Sequence, residues 1–173
     1  MSEFHQLVKE QIPRLRRYAR ALTLNRERAD DLVQDTLVRA LAKEHLWQLG
    51  TDLRAWLFTI MHNQNVNTVR QGIRDRSAVD VEAVSATLIA TTDPTALRQL
   101  RELDRALSRL PLEQRQVILL VGLEGISYAD AATMLRIPIG TVRSRLSRGR
   151  EMLRELLDMK EERCPPSAVA RAA

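Results

Sequence analysis

A single cysteine, Cys164, rules out a disulfide framework and any Cys-x-x-Cys metal pair, and it reads as an inert thiol near a frayed tail. The three histidines, His5, His45 and His62, lack metal-ligand spacing and read as isolated surface residues. No Gly-rich phosphate loop and no nucleophile–base set is visible. No metal, cofactor or enzymatic activity is therefore expected. Aromatic residues are only 3% of the chain, while Leu, Ala and Val dominate, a mix that favours helices over sheets. No apolar run approaches the ~20 residues that span a bilayer, and Met1–Glu10 lacks the charged-then-apolar order of a signal peptide. The expectation is a cytoplasmic protein with no membrane segment.

What the chain does have is basic charge, unevenly placed. Its 173 residues carry a formal net charge of +5 and a pI near 10.1, which permits a nucleic-acid partner without establishing one. Residues 1–76 hold 13 Lys and Arg against 9 Asp and Glu, and residues 97–173 hold 14 against 10, so each block is net +4. Between them, residues 77–96 contain Asp80, Glu82 and Asp93 and no Lys or Arg. This stretch has little periodicity and no amphipathic face, and reads as a linker. The division predicted is a first domain over 1–76, a linker over 77–96, a second domain over 97–160 and a disordered tail over 161–173.

Helical spacing appears throughout both blocks. Pro13 opens a helix to about Leu24. A second runs from about Glu27 to Lys43, with Ala29, Leu32, Val33, Thr36, Leu37, Ala40 and Leu41 on one face and Asp30, Asp31, Gln34 and Asp35 on the other. A third runs from Asp52 to about Gln71, with Leu53, Trp56, Leu57, Ile60 and Gln64 inward and His62, Asn63, Asn67 and Arg70 elsewhere. In the second block, a Leu-rich helix follows residue 97, and Pro111 restarts the chain into an unbroken helix over Leu112–Leu123. Ser127 and Asp130 form a capping box. Two helical segments, Tyr128–Leu135 and about Gly140–Leu157, then flank the turn "RIPIG" in a helix-turn-helix pattern. The fold class is all-α: two small helical domains, the second with a helix-turn-helix.

The last of these helices has two faces. With Val142 at zero and about 100° per residue, Leu146, Gly149, Leu153 and Leu156 cluster within roughly 40° of the same direction. Arg143, Ser144, Ser147, Arg148 and Glu151 lie opposite. The amino end of the second helix of a helix-turn-helix enters the major groove. There arginine pairs with guanine O6 and N7, and serine hydroxyls reach base edges or phosphates. A solvated charged face is the alternative for such a pattern taken alone. The capped first helix, the turn and the basic block favour DNA.

At this point the residues resemble a known family, the extracytoplasmic-function (ECF) sigma factors of bacterial RNA polymerase. "RLPLEQRQVILLVGLEGISYADAATMLRIPIGTVRSRLSRGREML" is similar to the family's second DNA-binding domain. "RADDLVQDTLVRAL" and "LRAWLFTIMHNQNVNTVRQ" are similar to its first, in the expected order. Together these blocks fall within residues 13–157.

The resemblance implies that Arg143, Ser144, Ser147 and Arg148 face the −35 promoter element, with Arg115 and Thr141 as phosphate contacts. It implies that Asp31, Gln34, Asp35 and Arg39 grip the core polymerase, although Asp30 and Asp31 alone would read as helix-start electrostatics. It implies −10 recognition and melting by the helix carrying Asn63, Asn67 and Arg70. Trp47, in the preceding loop, is either a base-stacking ring or a core anchor, and Trp56 belongs to the apolar face. Family members often carry Asp at the Asn67 position and an aromatic at Thr68, so this chain departs from the pattern at its −10 reader. The linker either threads the polymerase or has no special role.

The expected partners are core RNA polymerase, promoter DNA and an anti-sigma factor that could hold the chain at the membrane; the chain itself is expected to be a monomer. Two other readings stay open: a helix-turn-helix repressor with an unrelated helical domain, and a sigma-mimicking adaptor that titrates an anti-sigma factor.

Overall fold

The computed structural model describes residues 3–74 and 93–161, and every regular element among them is helical. Residues 77–92 of the expected linker and the tail with Cys164 lie outside the described residues.

Helix α1, Glu3–Thr23, begins well before Pro13, which lies inside it. A proline in a helix interior costs about 3 kcal/mol. Against that, Phe4 and Val8 share one face and are 4% exposed each, and burying such side chains returns about 1.5–3 kcal/mol apiece. The tertiary contacts extend the helix past the local stop signal. It ends at Leu24, whose backbone turns left-handed at φ 55°. Asn25 then caps α2, Arg26–Ala42, by accepting the Arg28 N–H at 2.9 Å. On its inner face Thr36 is fully buried and donates its hydroxyl to the Leu32 carbonyl at 2.7 Å.

A 3-10 turn, Glu44–Leu46, leads through a loop to α3, Leu53–Arg74. Leu53, Leu57, Phe58 and Met61 of α3 are buried, and the Phe58 ring meets Tyr18 of α1 edge-on at 5.0 Å between centroids.

Helix α4 spans Pro94–Arg109, so Asp93–Ala96, assigned above to the linker, instead cap and open a helix. Asp93 accepts the Thr95 N–H at 2.9 Å, with Pro94 at the position where a missing N–H costs nothing. Helix α5 covers only Leu112–Ile118. The unbroken helix expected to Leu123 gives way to a π-helical turn, Leu119–Leu123. The Glu124 N–H donates to the Leu119 carbonyl at 3.0 Å and the Ile126 N–H to the Leu120 carbonyl at 2.9 Å. The chain leaves this wide turn through Gly125, whose backbone is left-handed at φ 65°.

Helix α6 is Tyr128–Leu135, the span read from the sequence, and α7 is Ile139–Glu161. Between them Arg136 adopts a left-handed conformation at φ 54°. At Gly149 of α7 an added Cβ would lie 2.6 Å from Ile118 Cδ1 of α5, so these two helices approach closely there.

In the first half, α1 packs on α2 and α2 on α3; in the second, α4, α5 and α6 pack on α7. The halves also meet. Helix α3 lies against α6, and α1 lies against α5 and the π turn. One buried apolar cluster runs through both.

Candidate nucleic-acid interface

Helix α7 owes its orientation to the seam read from its sequence. Val142 and Leu146 are buried in the core, and Gly149 is covered by α5. Arg145, on the flank of the seam, donates to Glu113 of α5 at 2.7 Å. The opposite face is open: Arg143, Ser144, Ser147 and Arg148 are all exposed, and Thr141 is half-buried. Ser144 donates its hydroxyl to the Thr141 carbonyl at 3.1 Å. Alongside, Tyr128, Arg143, Leu146, Ser147, Arg150 and Arg154 line a depression of about 290 Å³. Three guanidinium groups around one shallow basin favour an anion.

Arg115 does not join that surface. It is 8% exposed, and its guanidinium donates to four main-chain carbonyls: Leu107 at 2.8 Å, Leu110 at 3.0 Å, Ser108 at 3.1 Å and, across the junction of the halves, Leu22 at 3.1 Å. In this arrangement the guanidinium expected to meet a phosphate is engaged by main-chain carbonyls instead. Its donors satisfy the carboxyl ends of α4 and α1, whose last carbonyls have no helical partner. Burial lowers its pKa.

On α3, Asn63 is half-buried and Asn67 exposed, so only the latter stands fully in solvent. Arg70 lies on the same helix, and its side chain is outside the described residues. His62 corrects the expectation of a surface histidine. It is 8% exposed, its Nδ1 has no hydrogen-bond partner, and burial, with the Arg136 charge second, holds its pKa below the ordinary 6.5. Trp47 is half-buried with its ring 5.5 Å from that of Phe4, and its buried Nε1–H finds no acceptor. In this arrangement the ring packs against the core. Trp56 stands 6.2 Å from the same Phe4 ring at the edge of the core.

A different surface lies on α2. Asp31, Gln34, Asp35 and Arg39 are exposed together, and Val38 between them is 66% exposed. Mixed charge around an uncovered apolar side chain suits a protein partner better than a phosphate backbone. Among the described residues, no cluster of three or more His, Cys, Asp or Glu could hold a metal ion.

The sequence reading missed one group of residues, Glu124, Arg17 and Arg54. Glu124, 2% exposed at the end of the π turn, receives Arg17 Nη2 on Oε1 at 2.8 Å, and its carbonyl receives Arg54 Nη1 at 2.9 Å. Its only sequence signal is a lone acid closing an apolar run.

Residues 8–62 match the family described as the sigma2 domain of PhyR, and residues 100–153 match sigma-70 region 4. The chain is 43% identical over 147 residues to the ECF RNA polymerase sigma factor EcfG of Rhodopseudomonas palustris, covering 84% of this chain and 80% of that protein. It is 33% identical over 155 residues to the ECF RNA polymerase sigma factor SigM of Mycobacterium tuberculosis, covering 89% and 76%. Among solved structures it is similar to the sigma factor RpoE in complex with the anti-sigma factor NepR from Bartonella quintana. That likeness has a TM-score of 0.78 at 36% identity, over 91% of this chain and 98% of that one. CnrH, solved in complex with the cytosolic domain of CnrY, aligns with a TM-score of 0.64 at 29% identity, over 90% and 88%.

Proposed function

The chain belongs to the ECF RNA polymerase sigma factors, and from that premise we propose how its surfaces divide the work of starting transcription. As a member it is a non-enzymatic specificity subunit that directs transcription initiation. Helix α7 reads the −35 element through Arg143, Ser144, Ser147 and Arg148, with Thr141 near the flanking phosphate. Helix α3 reads and melts the −10 element through Asn63, Asn67 and Arg70. The α2 face of Asp31, Gln34, Asp35 and Arg39 binds core polymerase. An anti-sigma factor is the regulatory partner, as the complexes of RpoE and CnrH lead one to expect. No helix among the described residues is long and apolar enough to cross a membrane. The chain works as a monomer in the cytoplasm, with any hold at the membrane supplied by its partner.

The observation that carries this reading is the exposed Arg and Ser face of α7, set opposite a seam buried at Val142, Leu146 and Gly149 in a capped helix-turn-helix. A good bidentate base contact is worth about 1–3 kcal/mol of discrimination, roughly 5- to 150-fold. The test is transcription in vitro with purified core polymerase and fragmented DNA of the source genome, sequencing the 5′ ends. Discrete starts sharing two upstream elements, weakened in that range by Arg148→Ala, are expected. Stable core binding without starts supports the titrating adaptor. Duplex binding without any core binding supports the repressor.

A further inference from the structure

Beside the shared apolar cluster, three polar bonds join the halves. Arg17 of α1 and Arg54 of α3 both converge on Glu124 at the end of the π turn, one on its carboxylate and one on its carbonyl. Arg115 reaches from α5 to the Leu22 carbonyl. We propose that Glu124, with Arg17, Arg54 and the Arg115–Leu22 bond, forms an intrachain latch that holds the sigma factor in a resting arrangement unable to read a promoter.

The proposal rests on the assignment of α3 to the −10 and α7 to the −35 element. Those elements lie about 25 base pairs apart, or roughly 85 Å at 3.4 Å per step along a strand. In this structure α3 lies directly against α6, the helix that precedes α7 across a three-residue turn. One duplex cannot present both elements to helices that only α6 separates. Reading therefore requires the latch to open.

The latch is built to be releasable. The Glu124 carboxylate is buried, yet only Oε1 is paired, while Oε2 and the nearby Tyr18 hydroxyl have no hydrogen-bond partner. A buried charge with half its acceptor capacity unmet is held at a cost that water repays on opening. Arg17 is 38% exposed at its side chain, so solvent reaches one arm of the latch already. Opening also frees Arg115 Nη1 from Leu22 while its three bonds within the second half stay closed.

The experiment measures the distance between spin labels at Arg28→Cys and Glu155→Cys in a Cys164→Ser full-length chain, both label positions being exposed. The parent chain should give one short distance. Arg17→Glu, which faces Glu124 with a second carboxylate, and Arg54→Ala, which removes the other arm, should each shift it to a longer, broader distribution. Arg17→Lys should stay closed.

Transcription with core polymerase supplies the second readout. A tenfold gain in open chain lowers the sigma concentration for half-maximal initiation about tenfold. A parent chain that is already extended, or unchanged distances in both Arg17→Glu and Arg54→Ala, overturns the latch. Open distances with an unchanged half-maximal concentration overturn its inhibitory role. Absence of starts from every chain, with these distance shifts intact, overturns the promoter reading and leaves the latch standing.

Discussion

Arg115 meets four carbonyl oxygens from three places in the chain, the end of α4, the α4–α5 junction and the end of α1. The Leu107 carbonyl also accepts the Leu110 N–H at 3.1 Å, and a buried acceptor left without a donor costs about 1–3 kcal/mol. Arg115→Ala is therefore expected to destabilise the fold by about 2–4 kcal/mol, read from the midpoint of urea unfolding. Arg115→Lys should recover only part of it, because an ammonium cannot span a fork of four acceptors. The sequence offered no view of this. Main-chain carbonyls leave no signature in residue types, so an arginine in a basic block reads as a phosphate ligand. Arg143, Ser144, Ser147 and Arg148 were legible because one helical period separates them from an apolar seam.

At the scale of the element, local chemistry was read well and tertiary override was not. The bounds of α6 follow from the Ser127 cap, whose Oγ accepts the Asp130 N–H at 3.1 Å and donates to the Asp130 carboxylate at 2.6 Å. Ser127→Ala should cost about 1 kcal/mol, seen as a lower urea midpoint with an unchanged slope. The start of α1 was not legible, because Pro13 is a local signal whereas Phe4 earns its helix by touching Trp47 and Trp56 far along the chain. The break in α5 was missed for a similar reason: Val117, Leu119 and Leu120 look alike in an α- or a π-helical turn.

At the scale of the whole molecule, two helical domains and their order were legible from charge blocks and helical periods, but not their contact. Apolar side chains that each half could equally bury in its own core, and single polar residues such as Glu124, make that contact, and nothing periodic announces it. His62, beside Arg136 of the α6–α7 turn, reports on it. Its folded pKa lies below the ordinary 6.5, so the neutral form is the one the folded chain prefers. The stability it contributes is thus fully present above about pH 6.5 and is lost as pH falls below that value. Thermal unfolding followed from pH 7.5 to 5.5 should show a steeper fall in Tm for the parent chain than for His62→Gln, which cannot titrate.

The π turn at Leu119–Leu123 holds a consequence of a different kind. A π turn carries about one residue more than the α-helical path it replaces. Deleting one of its five residues would leave an ordinary helix of acceptable composition. Everything after it would keep its bearing, whereas winding all five residues as an α-helix would turn Glu124 and the helix-turn-helix by about 100°, away from Arg17. The bearing of the reading helix on the first domain is thus set by the match between residue count and winding from Ile118 to Gly125, and not by any one side chain there.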